Sequence, residues 1–211
     1  MLKKLAILAL MFVVFPSQAC DYPDEWWKPV PEKDLKSWEI PPQAAGPGEV
    51  ILSKRNELGV FSNFAATRFE LDGDSYASVE GLWQAMKYPE GPNDFRNSNP
   101  DVVWPFTRAQ VMEMVAFEAK DAGKVAKKNM KALGIKWITY QGKRLDYKGA
   151  DQDQHYDVIY RAIEAKVKQN PEVMELLMRT KGLKLRPDHD QGDNITPAYE
   201  YHKILMKIRD Q

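Results

Sequence analysis

Apolar side chains recur at helical spacing along much of the chain, most regularly after Ser78. There they occupy positions i, i+3, i+4 and i+7, which are filled by Val79, Leu82, Trp83 and Met86. This spacing predicts a helix over about 79–87 with one face on the core, and Ser78 is a residue type that caps the first turn. The polar residues Glu80, Gln84 and Lys87 share a second face, which is either a solvated surface or a row of functional groups.

The rest of the pattern predicts more helices than strands. Helices are expected after Thr107, from Pro197 onward, and over 116–133 (in one or two pieces), 152–169 and 172–180. Strands are expected over 50–53, 68–71 and 75–77, and short extended runs over 137–140 and 183–186. Strands and helices do not alternate, and a glycine-rich phosphate loop is missing. The sequence therefore predicts a helix-rich α+β single domain with a small antiparallel sheet, not a Rossmann fold.

The first twenty residues have the three parts of a secretory signal. Lys3 and Lys4 precede an unbroken apolar run over 5–15, and the small residues Ser17 and Ala19 follow it. The pattern predicts a signal peptide over 1–19 and an exported protein. Cys20, the only cysteine, stands at the expected cleavage site, which favours a lipid-anchored periplasmic protein. Ordinary cleavage after Ala19 is the alternative.

Residues 20–49 are rich in proline and tryptophan. Six prolines lie between 21 and 49, together with Trp26, Trp27 and Trp38. Proline at this density disfavours helix and central strand, so a tether is the simplest interpretation. Three tryptophans are costly to leave in water, however, so part of the segment should pack on the domain as a lid or rim.

Composition narrows the classes of partner. The 211 residues include 30 Lys+Arg and 30 Asp+Glu, and removal of residues 1–19 deletes two lysines, which leaves a net charge of −2. Strong general affinity for nucleic acid is not expected, and membrane attachment would depend on a lipid at Cys20. A mean hydropathy of −0.53 excludes a polytopic membrane protein. The three histidines form no i, i+4 pair, so no metal site is expected.

Several blocks of sequence, in their order and spacing, resemble the NADAR (YbiA-like) family. They are Gly59-Val60-Phe61-Ser62-Asn63-Phe64, Phe69-Glu70-Leu71-Asp72-Gly73, Ser78-Val79-Glu80 and Gln84-Ala85-Met86-Lys87-Tyr88. Later blocks over 162–166, 185–189, 197–199 and 204–209 extend the likeness to about residues 50–210. The resemblance implies a YbiA-like domain over 50–211 with N-glycosidase activity.

Members of that family are associated with cleavage of the bond between ribose and a base. Their substrates are riboflavin-pathway phosphoribosylamino intermediates or ADP-ribose attached to guanine. The resemblance therefore implies a small nucleotide-like substrate or an ADP-ribosylated target, and no cofactor. It makes Glu80 the key carboxylate, with Lys87 and Asn63 near the same pocket.

The chemistry of the residues agrees with that assignment. Breaking a C1′–N bond builds positive charge on the ribose ring, which a carboxylate such as Glu80 can stabilise while it orients water. Lys87 could hold a phosphate or a ribose hydroxyl, or attack C1′. Asp188 or His189 could protonate the leaving base. The other residues expected to bind the substrate are Ser62, Asn63, Phe64, Gln84, Trp83 and Tyr88, with Trp83 or Tyr88 stacking on a base.

The chain also departs from the family pattern. Gly81 and Leu82 stand where a histidine and an aromatic residue are usual, and the Trp-Gly-Asp and Asn-Arg-Leu-Gly stretches are missing near the C-terminus. Export would also separate the protein from cytosolic nucleotides. A second hypothesis therefore stays open: a non-catalytic envelope lipoprotein that keeps the fold and binds a nucleotide-like ligand.

Overall fold

The computed structural model describes residues 22–192 and 195–211. Within these ranges there are six α-helices: α1 Val79–Ala85, α2 Arg108–Met112, α3 Ala116–Ala132, α4 Gln152–Gln169, α5 Pro171–Arg179 and α6 Tyr201–Arg209. Ser78 Oγ accepts a hydrogen bond from Gly81 N at 2.9 Å, as predicted for the cap of α1. The predicted signal peptide over 1–19 and the lipidation site at Cys20 lie outside the described residues.

Short strands pair two by two beside the helices. The antiparallel pairs are β2 Phe69–Leu71 with β3 Asp74–Tyr76, and β4 Ile138–Tyr140 with β5 Lys143–Leu145. The third pair, β1 Glu49–Ile51 with β6 Lys184–Arg186, is parallel. The helix-rich α+β class with small antiparallel sheets is confirmed, and the strands expected over 68–71 and 75–77 pair as a hairpin. The structure adds the parallel pair of β1 and β6, which lie far apart in sequence.

Helix α1 lies at the centre of the domain. It packs against α2, α3 and α4, and the apolar face predicted from its spacing is inside, with Leu82 and Met86 at most 1% exposed. Burial of such side chains stabilises the fold by roughly 1.5–3 kcal/mol each. At the C-terminus, Pro197 begins a separate 3-10 turn over Pro197–Tyr199, and α6 starts only at Tyr201. The prediction that Pro197 lies in the first turn of α6 is therefore wrong.

The proline- and tryptophan-rich segment packs on the domain from Tyr22 onward. Trp26 is fully buried in the core, and its indole Nε1 donates to Glu57 Oε1 at 2.8 Å. Trp27 Nε1 donates to Glu49 O at 2.9 Å, and Glu49 already belongs to β1. The expected boundary between residues 49 and 50 therefore does not divide a separate segment from the folded unit.

Candidate active site

Helix α1 carries its polar face into the protein instead of toward solvent. Glu80, Gln84 and Lys87 are each no more than 9% exposed. The helix can sit this deep because Gly81 has no side chain: a Cβ there would lie 2.7 Å from Met114 O. A histidine, which the family pattern has at this position, could not fit without moving the chain before α3. Gly81 is therefore a packing residue that brings Glu80 inward.

Glu80 lines a cavity of about 580 Å³. A volume of this size holds a small organic molecule. The walls come from distant parts of the chain, among them Asn63, Phe64, Trp83, His155, His189 and Tyr199. Trp38 and Phe117 also contribute, and they remain 49% and 61% exposed, which places them at the mouth. The predicted residues Ser62, Asn63, Phe64, Glu80, Trp83 and His189 are thus brought together.

A chain of hydrogen bonds connects the three polar residues of α1. Gln84 Nε2 donates to Glu80 Oε1 at 2.7 Å, and Lys87 Nζ donates to Gln84 Oε1 at 2.5 Å. The Lys87 ammonium also lies 4.3 Å from the centre of the Trp83 ring, within the range of a cation–π contact. Gln84 and Lys87 stand behind Glu80 and are not among the lining residues. They can orient the carboxylate, whereas the structure does not present Lys87 to a ligand.

Burial and the attraction between Glu80 and Lys87 determine the pKa values of both side chains. Burial raises the pKa of Glu80, against the opposing effects of the Gln84 hydrogen bond and the Lys87 charge. Burial lowers the pKa of Lys87 to about 8, although Glu80 favours its charged form. A carboxylate in such surroundings is poorly solvated, so a cationic centre that develops beside it in the cavity is strongly stabilised.

The 59–64 loop is tied to α4 by a buried lysine. Lys166 Nζ donates to Val60 O at 2.6 Å and to Ser62 O at 2.8 Å, and burial lowers its pKa to about 7. The loop in turn meets α1 where Glu80 N donates to Asn63 O at 2.9 Å. The side-chain Oδ1 of Asn63 is buried and has no hydrogen-bond partner among the described residues. Asn63 is therefore held in place with an unpaired acceptor in the cavity wall.

Aromatic rings form much of the cavity wall. Trp83 packs on His155 with ring centres 4.6 Å apart, and on Tyr199 at 5.8 Å. Phe64 meets Phe117 edge to face at 5.5 Å. Trp83 has two roles. It belongs to the apolar face of α1, as its helical spacing indicates, and it also lines the cavity.

Asp188 and His189 form a pair beside the cavity. Asp188 is 2% exposed; its Oδ1 contacts His189 Nδ1 at 2.8 Å, and its Oδ2 accepts from Lys54 Nζ. Burial raises the pKa of Asp188, but the hydrogen bonds from His189 and Lys54 outweigh it and hold that pKa below its usual range. Asp188 is therefore ionised and cannot act as the proton donor considered from the sequence. His189 does line the cavity, with Nε2 as the nitrogen left for a ligand.

Tyr88 does not reach the cavity. It is fully buried in a second apolar cluster with Val111 and Ala119, and its hydroxyl donates to Ala122 O at 2.8 Å. It cannot stack on a bound base in this arrangement, so that assignment is corrected. Its position in the Gln84–Tyr88 block is explained by packing of α1 against α3.

Sequence reasoning missed several wall residues. His155 lies on α4 at spacing i, i+4 and i+7 with the buried Ile159 and Ala162, and a histidine on an apolar helix face was a usable signal. Lys54 and Lys120 stand at the mouth near aromatic rings; Lys120 Nζ is 5.6 Å from the Phe117 ring centre. Nothing in the local sequence indicated that these lysines would share a cavity with Glu80.

The described ranges contain neither a cluster of metal-binding side chains nor a membrane-spanning helix. Across residues 22–192 and 195–211, no three side chains of the His, Cys, Asp and Glu types are grouped to hold a metal ion. In the same part of the chain, none of the helices has the length and apolar character needed to cross a bilayer.

The fold and the site together define an α+β protein with a buried carboxylate in an aromatic-walled cavity. Among solved structures, the chain is similar to the NMR structure of the E. coli protein YbiA. The two share 21% sequence identity over 75% of this chain and 80% of that one, with a TM-score of 0.47. No protein-family model and no curated protein matches the chain.

Proposed function

We propose that this protein is an N-glycosidase that hydrolyses the bond between C1′ of a ribosyl group and a nitrogen of a base. The observation that carries the proposal is the position of Glu80. It is a buried carboxylate on the wall of a cavity large enough for a nucleoside. Such a group is suited to stabilise a cationic ribosyl centre and to orient water toward it.

The proposed reaction breaks the C1′–N bond and forms a bond between C1′ and the oxygen of water. The C1′–N bond breaks and its electron pair stays with the base, while positive charge on the ribosyl ring is stabilised by Glu80. Water adds its oxygen to C1′ and gives a proton to the Glu80 carboxylate, whose raised pKa favours acceptance. The departing nitrogen takes a proton from His189, which the Asp188 carboxylate orients through Nδ1.

Lys87 has a positioning role in this proposal. Its ammonium donates to Gln84 Oε1, and Gln84 donates to Glu80, so the lysine acts on the carboxylate through the amide. Attack of Lys87 on C1′ is not part of the proposal, because Lys87 does not line the cavity.

We further propose that the chain is a diverged member of the NADAR family. The sequence blocks that carry this resemblance converge on the cavity: the 59–64 loop supplies Asn63 and Phe64, and α1 supplies Glu80 and Trp83. Gly81 departs from the pattern and has a packing reason of its own. The substrate class is then a phosphoribosyl or ADP-ribosyl compound, free or attached to a target.

The test is release of free base by the purified protein. Wild type, Glu80→Gln and the exposed control Glu70→Gln are incubated with nucleosides, NAD, phosphoribosylamino pyrimidines and ADP-ribosylated guanine in DNA. Products are identified by chromatography and mass. We expect base release from at least one compound, its loss in Glu80→Gln and its retention in Glu70→Gln.

Failure of the wild type to release base from any of these compounds would refute the proposed reaction. If the same compounds still raised the melting temperature, the protein would instead be a ligand-binding protein of this fold. Equal turnover by wild type and Glu80→Gln would remove Glu80 from the mechanism.

Export is a separate proposal based on residues 1–20. We propose that the signal is removed before Cys20 and that the thiol carries a lipid. The intact mass of protein from the membrane fraction tests this, because acyl chains add a defined mass. A mass that corresponds to the unmodified chain from Cys20 or from Met1 would contradict lipidation.

A further inference from the structure

His155 is a buried side chain whose hydrogen-bonding capacity is unused. It is 0% exposed on α4, yet within the part of the chain that the structure describes neither Nδ1 nor Nε2 has a hydrogen-bond partner. Buried polar groups are nearly always paired, because an unpaired one has lost its water without compensation. His155 belongs to the wall of the cavity that contains Glu80, so a small shift of that wall would let a bound molecule supply the missing partner.

The ring of His155 is held in one orientation by aromatic neighbours. Trp83 packs on it at 4.6 Å with a tilt of 37°, and Tyr147 and Tyr199 meet it edge to face at 5.6 Å and 6.1 Å. No carboxylate of residues 22–192 or 195–211 bonds the ring. Burial, assisted by the charge of Lys87, lowers the pKa of His155 to about 4, so the imidazole is neutral at pH 7. One nitrogen then donates and the other accepts.

A second unused polar atom belongs to the wall of the same cavity. Asn63 Oδ1 is buried and is also without a partner in the described ranges. Both unused groups are uncharged, whereas two ammonium groups stand at the mouth beside Phe64. That of Lys120 lies 5.8 Å from the ring centre, and that of Lys54, which is paired with Asp188, lies 6.0 Å from it. This division of polarity favours a neutral, hydrogen-bonding part of the ligand inside and an anionic part outside.

We infer that His155 is a specificity-determining residue, whose uncharged imidazole hydrogen-bonds an uncharged polar group of the ligand, either the edge of a nucleobase or a ribose hydroxyl. This inference rests on the proposed function for its ligand class. In the proposed orientation of the substrate, the ribosyl–base end lies against Asn63, Glu80 and His155. Its phosphate groups lie toward Lys54 and Lys120.

Replacement of His155 by phenylalanine, whose ring has no nitrogen, distinguishes a role in ligand recognition from a role in folding. In the free protein, His155→Phe removes two unpaired polar atoms from an aromatic cage, so its melting temperature should equal or exceed that of wild type. Its affinity for a ligand should fall at least tenfold, because the bound polar group would lose its partner. His155→Gln, which keeps a donor and an acceptor, should restore part of that affinity.

The experiment measures binding of defined probes by calorimetry and thermal shift. ADP-ribose and ribose 5-phosphate supply ribose hydroxyls, and the free bases guanine, adenine and nicotinamide supply base edges. The set of probes whose binding depends on His155 identifies whether the imidazole recognises a ribose hydroxyl or the edge of a base. In the wild type, the imidazole nitrogen resonances of His155 should move on addition of the same probe, a measurement that needs no variant.

Two results would overturn the inference. One is a His155→Phe protein that melts several degrees lower and binds the probes like wild type, since His155 would then be structural. The other is a wild type that binds no probe, or whose His155 resonances do not move on binding. The reaction is tested independently: His155-dependent binding without Glu80-dependent base release would refute only the proposed hydrolysis. Base release that His155→Phe leaves unchanged would refute only the role of His155.

Discussion

The side chain of Gln84 occupies space that Gly123 leaves empty. A Cβ atom on Gly123 would lie 1.8 Å from Gln84 Oε1, closer than any real contact. Gln84 is the middle member of the hydrogen-bonded chain from Lys87 to Glu80. Helix α3 therefore controls the orientation of the cavity carboxylate through the absence of a side chain at one position.

Gly123→Ala should uncouple activity from stability. Alanine favours a helix by about 1 kcal/mol over glycine, so α3 itself gains. The added methyl group must displace the Gln84 amide, which breaks the bonds to Glu80 and Lys87. We expect base release to fall at least tenfold while circular dichroism stays unchanged. Lys124→Ala, an exposed substitution on the same helix, is the control and should behave like wild type. A Gly123→Ala protein that releases base like wild type would show that the position of Gln84 does not matter for the proposed reaction.

Lys166→Met should loosen the 59–64 loop. The variant leaves the carbonyl groups of Val60 and Ser62 without their buried donor, at a cost of about 2 kcal/mol. The loop supplies Asn63, so KM should rise more than kcat falls. Urea denaturation and steady-state kinetics measure the two effects. Lys168→Met, which removes an exposed lysine paired with Glu164 on the same helix, should change neither quantity by much. Unchanged stability of Lys166→Met would mean that the loop holds its shape without this lysine.

The central helix could be predicted because its signals are local. The spacing of Leu82 and Met86 and the cap at Ser78 belong to one short stretch, and they determine the buried face of α1. The resemblance to a known family then predicted Glu80 and Asn63 as site residues, and both line the cavity. The direction of the polar face was left open between solvent and function, because spacing gives a helix face but not the element that covers it.

The rest of the site depends on contacts between distant parts of the chain. Val50 of β1 pairs with Leu185 of β6, and this parallel pair brings the segment before Asp188 next to the start of the domain. His155 reaches Trp83 only because α4 packs on α1. Asp188 looked suitable as an acid, but hydrogen bonds from His189 and from Lys54, which lies far from it in sequence, hold its pKa below the usual range. No periodicity or single motif encodes such pairings.

Glu80→Gln should not weaken the fold. Burial raises the pKa of Glu80, which means that the surroundings disfavour its charged form. The amide of glutamine has nearly the same shape and avoids that penalty, while an oxygen remains to accept from Gln84 Nε2. The melting temperature of Glu80→Gln at pH 7 should therefore equal or exceed that of wild type. A large decrease would indicate that the carboxylate holds the helix in place, and loss of activity in this variant could then not be assigned to chemistry.

The stability of the protein should fall as the pH decreases from about 6.5 to about 4. Burial lowers the pKa of His155 and of His202 to about 4 in the folded state, from an ordinary value of 6.5. Between these values the unfolded chain binds protons that the folded chain does not, so acid favours unfolding. His155→Phe removes one of the two groups. At pH 4.5 the variant should lose about 2 kcal/mol less than wild type relative to pH 7.

Urea denaturation of both proteins at pH 7 and pH 4.5 measures this difference. His202 is present in both, so a smaller acid loss should persist in the variant, and a His155→Phe, His202→Phe double variant should lose still less. Equal losses in wild type and His155→Phe would mean that His155 takes up a proton in the folded protein. An imidazole that can be charged inside the cavity would have found an anionic or water partner, and it could no longer serve as the neutral recognition group for a ligand.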